Sequence, residues 1–134
     1  MTADLCFQPA SVLREAIAAK KVSPVELTDA VLARAAVLQP TLNCFVTLAP
    51  EQAMAAARAA EDAVMRGEPL GLLHGIPFAA KDLVNTAGVR TTFGSLHHAD
   101  NVPTEDAVAA ARVKQAGGIL FGKTTTPEFG HKCL

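Results

Sequence analysis

The chain has 134 residues, with 12 lysines and arginines against 13 aspartates and glutamates and a net charge of -1. Half of it is apolar and 19% is charged, which suits one folded domain, or part of one, rather than a disordered segment. The charges of both signs are interspersed and there is no Trp or Tyr, so a nucleic-acid surface would have neither a basic stripe nor the best stacking platforms.

Helical periodicity opens the chain. Val12, Ile17 and the alanines around them make a short amphipathic stretch ending near Lys20 and Lys21, whose charges suit a helix C-terminus. A second helix starts at a capping box, Ser23-Pro24-Val25-Glu26, with proline at the first helical position. Leu27, Val31, Leu32, Ala35 and Leu38 then recur at helical spacing until Pro40, which is expected to end the run. A brief strand over 44–47 precedes a third, alanine-rich helix over 51–66, closed by Gly67.

Beyond Gly67 the period changes. Residues 76–80, IPFAA, read as a buried strand, and a loop with turn residues Asn85, Gly88 and Gly94 follows. A helix is expected over 105–116, capped by Thr104 and stopped by Gly117, and then a second apolar run over 119–121. Strand, helix and strand in that order form a βαβ unit, with parallel strands and a right-handed crossover. The expected class is α/β, N-terminal helices followed by a βαβ unit, in one domain over 1–134 without repeats or linkers.

Alanine supplies much of the positive mean hydropathy, as in 53–60 and 107–111, and it favours helix without being strongly apolar. No apolar run approaches the roughly 18 residues of a membrane span. Asp4, Arg14 and Glu15 interrupt the region where a signal peptide would carry its apolar core. No membrane association and a cytoplasmic location are therefore expected. Cys6, Cys44 and Cys133 are odd in number and widely spaced, which predicts free thiols rather than a disulfide framework or a zinc site.

Lys81 is the residue that calls for a chemical explanation. It ends the apolar run 76–80, at the carboxyl edge where open α/β sheets bind ligands. An ammonium there is expected to lose hydration, which favours the neutral amine and makes a general base. The bland reading is a lysine whose stem packs on the strand while its head reaches water or pairs with Asp82.

The residues around Lys81 tip the balance. They run Leu73-His74-Gly75-Ile76-Pro77-Phe78, Lys81-Asp82, Thr91-Thr92 with Gly94-Ser95, and Val102-Pro103-Thr104 with Asp106. Gly117-Gly118, Gly122-Lys123-Thr124 and Pro127-Glu128-Phe129 follow. Together they resemble the N-terminal part of the amidase signature family of serine hydrolases, with weaker similarity back to about Ser11. The resemblance implies a larger mixed sheet flanked by helices, hydrolysis of a small-molecule amide, no metal or organic cofactor, and Lys81 as the base of a Ser-Ser-Lys triad. In that family the segment with both serines follows several dozen residues later, so it is expected outside these 134 residues, leaving this chain inactive alone. Uncovered strands of an incomplete sheet would favour self-association.

Other motifs are weighed against this one. Ser11 and Ser23 belong to helix starts, and Ser95 lacks the context of a nucleophile elbow and is expected to bond its own loop. Between Gly117 and Thr124 the sequence GGILFGKT satisfies the phosphate-loop pattern G-x-x-x-x-G-K-[ST]. It follows a helix and contains Ile119 and Phe121, which call for burial and weigh against a phosphate cradle, and the family resemblance implies that Lys123 is scaffold. His97, His98 and Asp100 read as a solvated loop rather than a metal site, His74 and His131 as loop histidines, and Glu128 as a local cap or pair. Thr125 and Thr126 depart from the asparagine and variable residue that many members of the family carry there. The competing functions are a noncatalytic fragment acting as an interaction module and a nucleotide-binding module over 117–124.

Overall fold

The computed structural model describes residues 4–131, so Cys133 lies outside the described residues. Four helices and three strands follow in the order α1 (Ala10–Ala18), α2 (Pro24–Leu42), β1 (Phe45–Leu48), α3 (Pro50–Arg66), β2 (Pro77–Lys81), α4 (Val108–Gln115) and β3 (Ile119–Thr124). The α1 face turned inward carries Leu13 and Ile17, while Val12 is 48% exposed. Ser23 caps α2 by accepting the Val25 and Glu26 N–H groups, and its own hydroxyl donates to Glu61 on α3, joining the two helices.

Pro40 does not end α2, which runs to Leu42 and closes on Asn43 in the left-handed conformation. Proline there leaves the Ala36 carbonyl without its helical N–H and crowds it, a cost that α2 bears for its last two residues. The Gln39 side chain compensates by donating to Phe45 O and accepting from Phe45 N, which splices the helix end to β1. Helix α3 buries Ala53, Ala57, Ala60 and Val64 and stops at Gly67, whose φ of 71° is costly for any side chain. The predicted cap at Thr104 is absent: α4 begins only at Val108, with Ala107 before it. Residues 104–107 are held elsewhere, because Ala107 N donates to Asn85 O and the Asp106 carboxylate accepts from Ala87 N and Lys114 Nζ.

The sheet order is β1-β3-β2, with β2 parallel and β1 antiparallel to β3. The expected βαβ unit is therefore β2-α4-β3, inside a mixed sheet. Alternation along β3 sends Ile119 and Phe121 toward the alanines of α2 and α3, and Leu120 to the other face with Ala49, Ala80 and Val89. Phe45 meets Phe121 edge to face at 5.6 Å. Small side chains on α3 let the helix approach the strand closely.

The register Ala80↔Lys123 and Lys81↔Thr124 decides what the carboxyl edge of the sheet looks like. A register shift between the Phe78–Leu120 and Ala79–Gly122 pairs resets the alternation along β3, and residues in register share a face, so Lys123 shares the face of Ala80 and of Asp82, two positions further on. Both Lys123 and Asp82 are fully buried and their charged groups lie 3.7 Å apart. Lys123 Nζ also donates to Val84 O at 2.7 Å and to Thr91 Oγ1 at 2.6 Å. Asp82 accepts the Thr92 N–H at both carboxylate oxygens and the Thr92 hydroxyl at Oδ2. Burial holds the Lys123 ammonium below the usual lysine range, with Asp82 pulling the other way.

Lys123→Met or Asp82→Asn alone leaves the other group buried without its partner and should cost about 3–5 kcal/mol in urea unfolding, whereas Lys123→Met with Asp82→Leu should recover most of that loss. For Asp106, burial pushes the carboxyl up, but Lys114 and the Ala87 N–H more than offset this and leave it below its ordinary value. A depressed carboxyl stabilises the fold above its unfolded value of about 4 and loses that contribution as pH falls through the folded one. Asp106→Asn should therefore lower stability at neutral pH and flatten the loss of stability below about pH 4, measured by thermal melts across pH.

Candidate active site

Lys81 is the last residue of β2, at the carboxyl edge of the sheet, on the face opposite the buried pair. Its side chain is exposed, and its Nζ makes no hydrogen bond among the described residues. The desolvation expected of it is absent here: Lys81 is exposed, and of the apolar run 76–80, expected as a buried strand, only Ala80 is buried. The buried lysine at this edge is Lys123 instead, and Asp82 pairs with Lys123 rather than with Lys81.

The backbone that carries Lys81 is held on every side. Asp82 N donates to Thr124 O, extending the ladder past the strand, and Val84 N donates back to Lys81 O. Phe93 N donates to Asp82 O, and Phe93 O in turn accepts from Phe129 N at 2.7 Å. Two loops, 91–95 and 125–130, thereby stack onto the end of β2. Each contains a phenylalanine with positive φ followed by glycine: Phe93 at 55° with Gly94 at 68°, and Phe129 at 47° with Gly130 at 68°. Gly94 is needed for space as well, since a Cβ there would sit 2.7 Å from Thr126 O.

Bulky residues in the left-handed region are uncommon and cost about 1–3 kcal/mol each. Contacts between the loops hold them. The Phe93 and Phe129 rings stack at 6.3 Å, and the His98 ring meets both edge-on at 5.2 and 5.8 Å. Ser95 Oγ, almost fully buried, donates to Glu128 Oε1 at 2.7 Å. The Ser95 backbone N–H bonds Thr92 O within its own loop, but its hydroxyl bonds across to the second loop, and Glu128 pairs with a residue far away in sequence rather than locally. The reason is the Phe129–Phe93 backbone bond, which draws the two loops together.

The remaining candidates separate cleanly. The residues of the phosphate-loop pattern form β3 and its approach, with Ile119 and Phe121 buried and the Ile119 N–H committed to Ile76 O. Lys123 is sealed inside the fold. His74 Nε2 bonds Ala60 O and ties the loop before β2 to α3. His97 and His98 lie in a short 3-10 turn, and His131 is exposed. Among the described residues no three His, Cys, Asp or Glu side chains gather to hold a metal ion, no helix is long and apolar enough to cross a membrane, and Cys6 and Cys44 are free thiols. Thr125 N donates to Cys44 O, and Thr126 bonds only its neighbour Pro127. A polar hollow of about 290 Å³ opens beside Phe93, lined by Asn85, His98, Asn101 and Glu105.

Sequence reasoning missed two features: the Lys123–Asp82 pair and the Ser95–Glu128 link. The first has a sequence signal, because a lysine inside ILFGKT cannot avoid burial if that run is a central strand. The second has none, since it depends on how two distant loops meet.

The chain is similar to known proteins in sequence and in fold. A family model described as Amidase matches residues 26–133. An acylamidase of Rhodococcus erythropolis is 38% identical over 128 residues, 96% of this chain and 27% of its own. A subunit of the glutamyl-tRNA(Gln) amidotransferase of Roseiflexus sp. is 45% identical over 116 residues, 87% of this chain and 24% of its own. The solved peptide amidase from Stenotrophomonas maltophilia superposes with a TM-score of 0.86 at 32% identity, covering 92% of this chain and 26% of that one. This chain thus spans about a quarter of the length of the curated relatives it matches. With the family match extending over strands, loops and Lys81 alike, the chain belongs to the amidase family.

Proposed function

We propose that the protein carrying this chain hydrolyses a carboxamide to a carboxylic acid and an amine or ammonia, with Lys81 as the base of a Ser-Ser-Lys triad. The observation that carries this reading is Lys81 itself: an uncommitted amine on a braced strand end, in a chain of the amidase family. The names of its relatives, an acylamidase and a glutamyl-tRNA(Gln) amidotransferase, agree on amide chemistry and differ in substrate.

In the proposed reaction the neutral amine of Lys81 takes a proton from a serine hydroxyl. That serine takes the proton of the nucleophilic serine, whose oxygen adds to the amide carbonyl carbon. Backbone N–H groups beside the nucleophile hold the resulting oxyanion. Protons return along the same relay to the leaving nitrogen, the carbon–nitrogen bond breaks, and an acyl-enzyme remains. Water, deprotonated by the relay, then releases the acid. The two serines are supplied from outside these 134 residues. Ser11 and Ser23 sit at helix starts, and Ser95 is committed to Glu128. The covering of Lys81 would come from the same source, as would a neighbour for the free edge of β2, through which these residues alone would self-associate.

In the full-length protein, Lys81→Ala should lower kcat/KM for an amide substrate by about 10²–10⁴-fold or more, and Lys81→Arg should fail equally because arginine keeps its proton. A near-normal rate in the arginine variant would make the role of Lys81 electrostatic instead. Purified residues 1–134 should release no product from a simple aryl amide above the level of their Lys81→Ala counterpart, since a base without a nucleophile is not a catalyst. Turnover by this chain alone would show that the nucleophile lies within it.

A further inference from the structure

We infer that Ser95 and Glu128 are positioning residues for Lys81, acting as a clasp that holds the carboxyl end of β2 in a single place. The inference rests on Lys81 being the base. A lysine side chain is long and rotamer-rich, and the Lys81 Nζ has no hydrogen bond among the described residues, so what these residues fix is the backbone from which it starts. That backbone is fixed in two layers. The inner layer is the Asp82 carboxylate with Thr92 and Lys123, which anchors the residue after Lys81 to the loop 91–95. The outer layer is the loop 125–130, which reaches the same loop through Phe129 N to Phe93 O and through Ser95 Oγ to Glu128 Oε1.

Both loops hold a phenylalanine in the left-handed region, a conformation that persists only where the surroundings over-determine it. The Ser95–Glu128 hydrogen bond closes this arrangement together with the Phe93–Phe129 ring stack. It sits where loop drift would carry Asp82 and hence Lys81 with it. Ser95 is almost fully buried while Glu128 is exposed, so Glu128 reaches from the surface to the hydroxyl, and its removal takes away the one side-chain partner that ties Ser95 to the loop 125–130. What the clasp requires of Glu128 is an acceptor oxygen rather than a charge.

The test uses the full-length protein with kcat expressed per active site, the sites being counted by titration with a fluorophosphonate that labels the nucleophilic serine. Loss of structure lowers the number of titratable sites, while mispositioning lowers kcat at each of them. Ser95→Ala and Glu128→Ala should each reduce per-site kcat about 10–100-fold with KM little changed, as a displacement of about 1 Å at a proton-transfer site does. The double variant should be no worse than either single one, because both remove the same bond. Glu128→Gln should stay near wild type, since its amide oxygen still accepts from Ser95. Ser95→Cys keeps the volume but weakens the donor, so it should lose rate even if the alanine variants do not fold. Unchanged per-site kcat in Ser95→Cys, multiplying effects in the double variant, or a Glu128→Gln enzyme as poor as Glu128→Ala would overturn the inference. The last outcome would assign Glu128 a role through its charge. Lys81→Ala serves as the separate control: if it retains activity, the proposed function fails whatever the clasp variants do.

Discussion

The contact between Lys123 and Asp82 organises the carboxyl edge of the sheet. Two opposite charges have been taken out of water there, and neither could stay without the other. Lys123 reaches from the central strand, Asp82 from the first residue after the edge strand, and Thr91, Thr92 and Val84 from the connection between them. Bonds to these groups determine where the long connection 82–107 can lie. A buried pair of this kind contributes little net stability compared with a well-packed apolar substitute, and removing one member is costly. In this fold its consequence is geometric: it admits only one arrangement of the loop that borders Lys81.

Two lysines, the last residue of β2 and the penultimate residue of β3, therefore lie at the same edge with opposite environments. The pleat separates them. Lys123 shares a face with Ala80 and turns inward, whereas Lys81 shares a face with Thr124 and turns out. Asp82 neutralises the inner one, so the edge is not a site of two uncompensated cations. The inner lysine is consumed by structure, bonded to Val84 O and Thr91 Oγ1 beside its counter-charge. Only the outer one is available for chemistry, and its position is inherited from the inner one through a single peptide unit.

Much of this is legible in the sequence, and the parts that are not have a common cause. The serine half of the capping box at Ser23, the glycine stop at Gly67 and the strand runs below Lys81 and Lys123 are local or periodic signals, and they read correctly because each depends on neighbours in sequence. Pro40 misleads because α2 runs only two residues beyond it and the Gln39 side chain ties that end to β1, and Thr104 because Asp106 and Ala107 have partners in the loop 85–87 that no local pattern discloses. The strand below Lys81 suggests burial, but exposure depends on what lies above. Glu128 and Ser95, separated by 33 positions, meet because two loops close on one another, and neither residue carries a motif that says so. The family resemblance singles out Lys81 as catalytic without describing what surrounds it, and the environment comes only from the three-dimensional structure.

The phosphate-loop pattern over 117–124 shows the same division between string and structure. A phosphate loop works because its backbone N–H groups are free and converge on an anion. In this chain the same spacing of glycines serves a different end. Gly117 adopts a φ of 93°, and Gly118 lies against Val113 and Phe78, where a Cβ would collide. Gly122 passes so near β1 that a Cβ would fall 2.9 Å from Thr47 O. These glycines permit close approach of chain to chain, not of chain to ligand. The intervening Ile119, Leu120 and Phe121 fill both faces of the sheet, and the lysine that would have met a phosphate finds Asp82 as its counter-charge. A carboxylate contributed by the protein itself occupies the electrostatic role that the pattern would otherwise assign to a nucleotide, and for that reason the segment builds the floor beneath Lys81 instead of a cradle for phosphate.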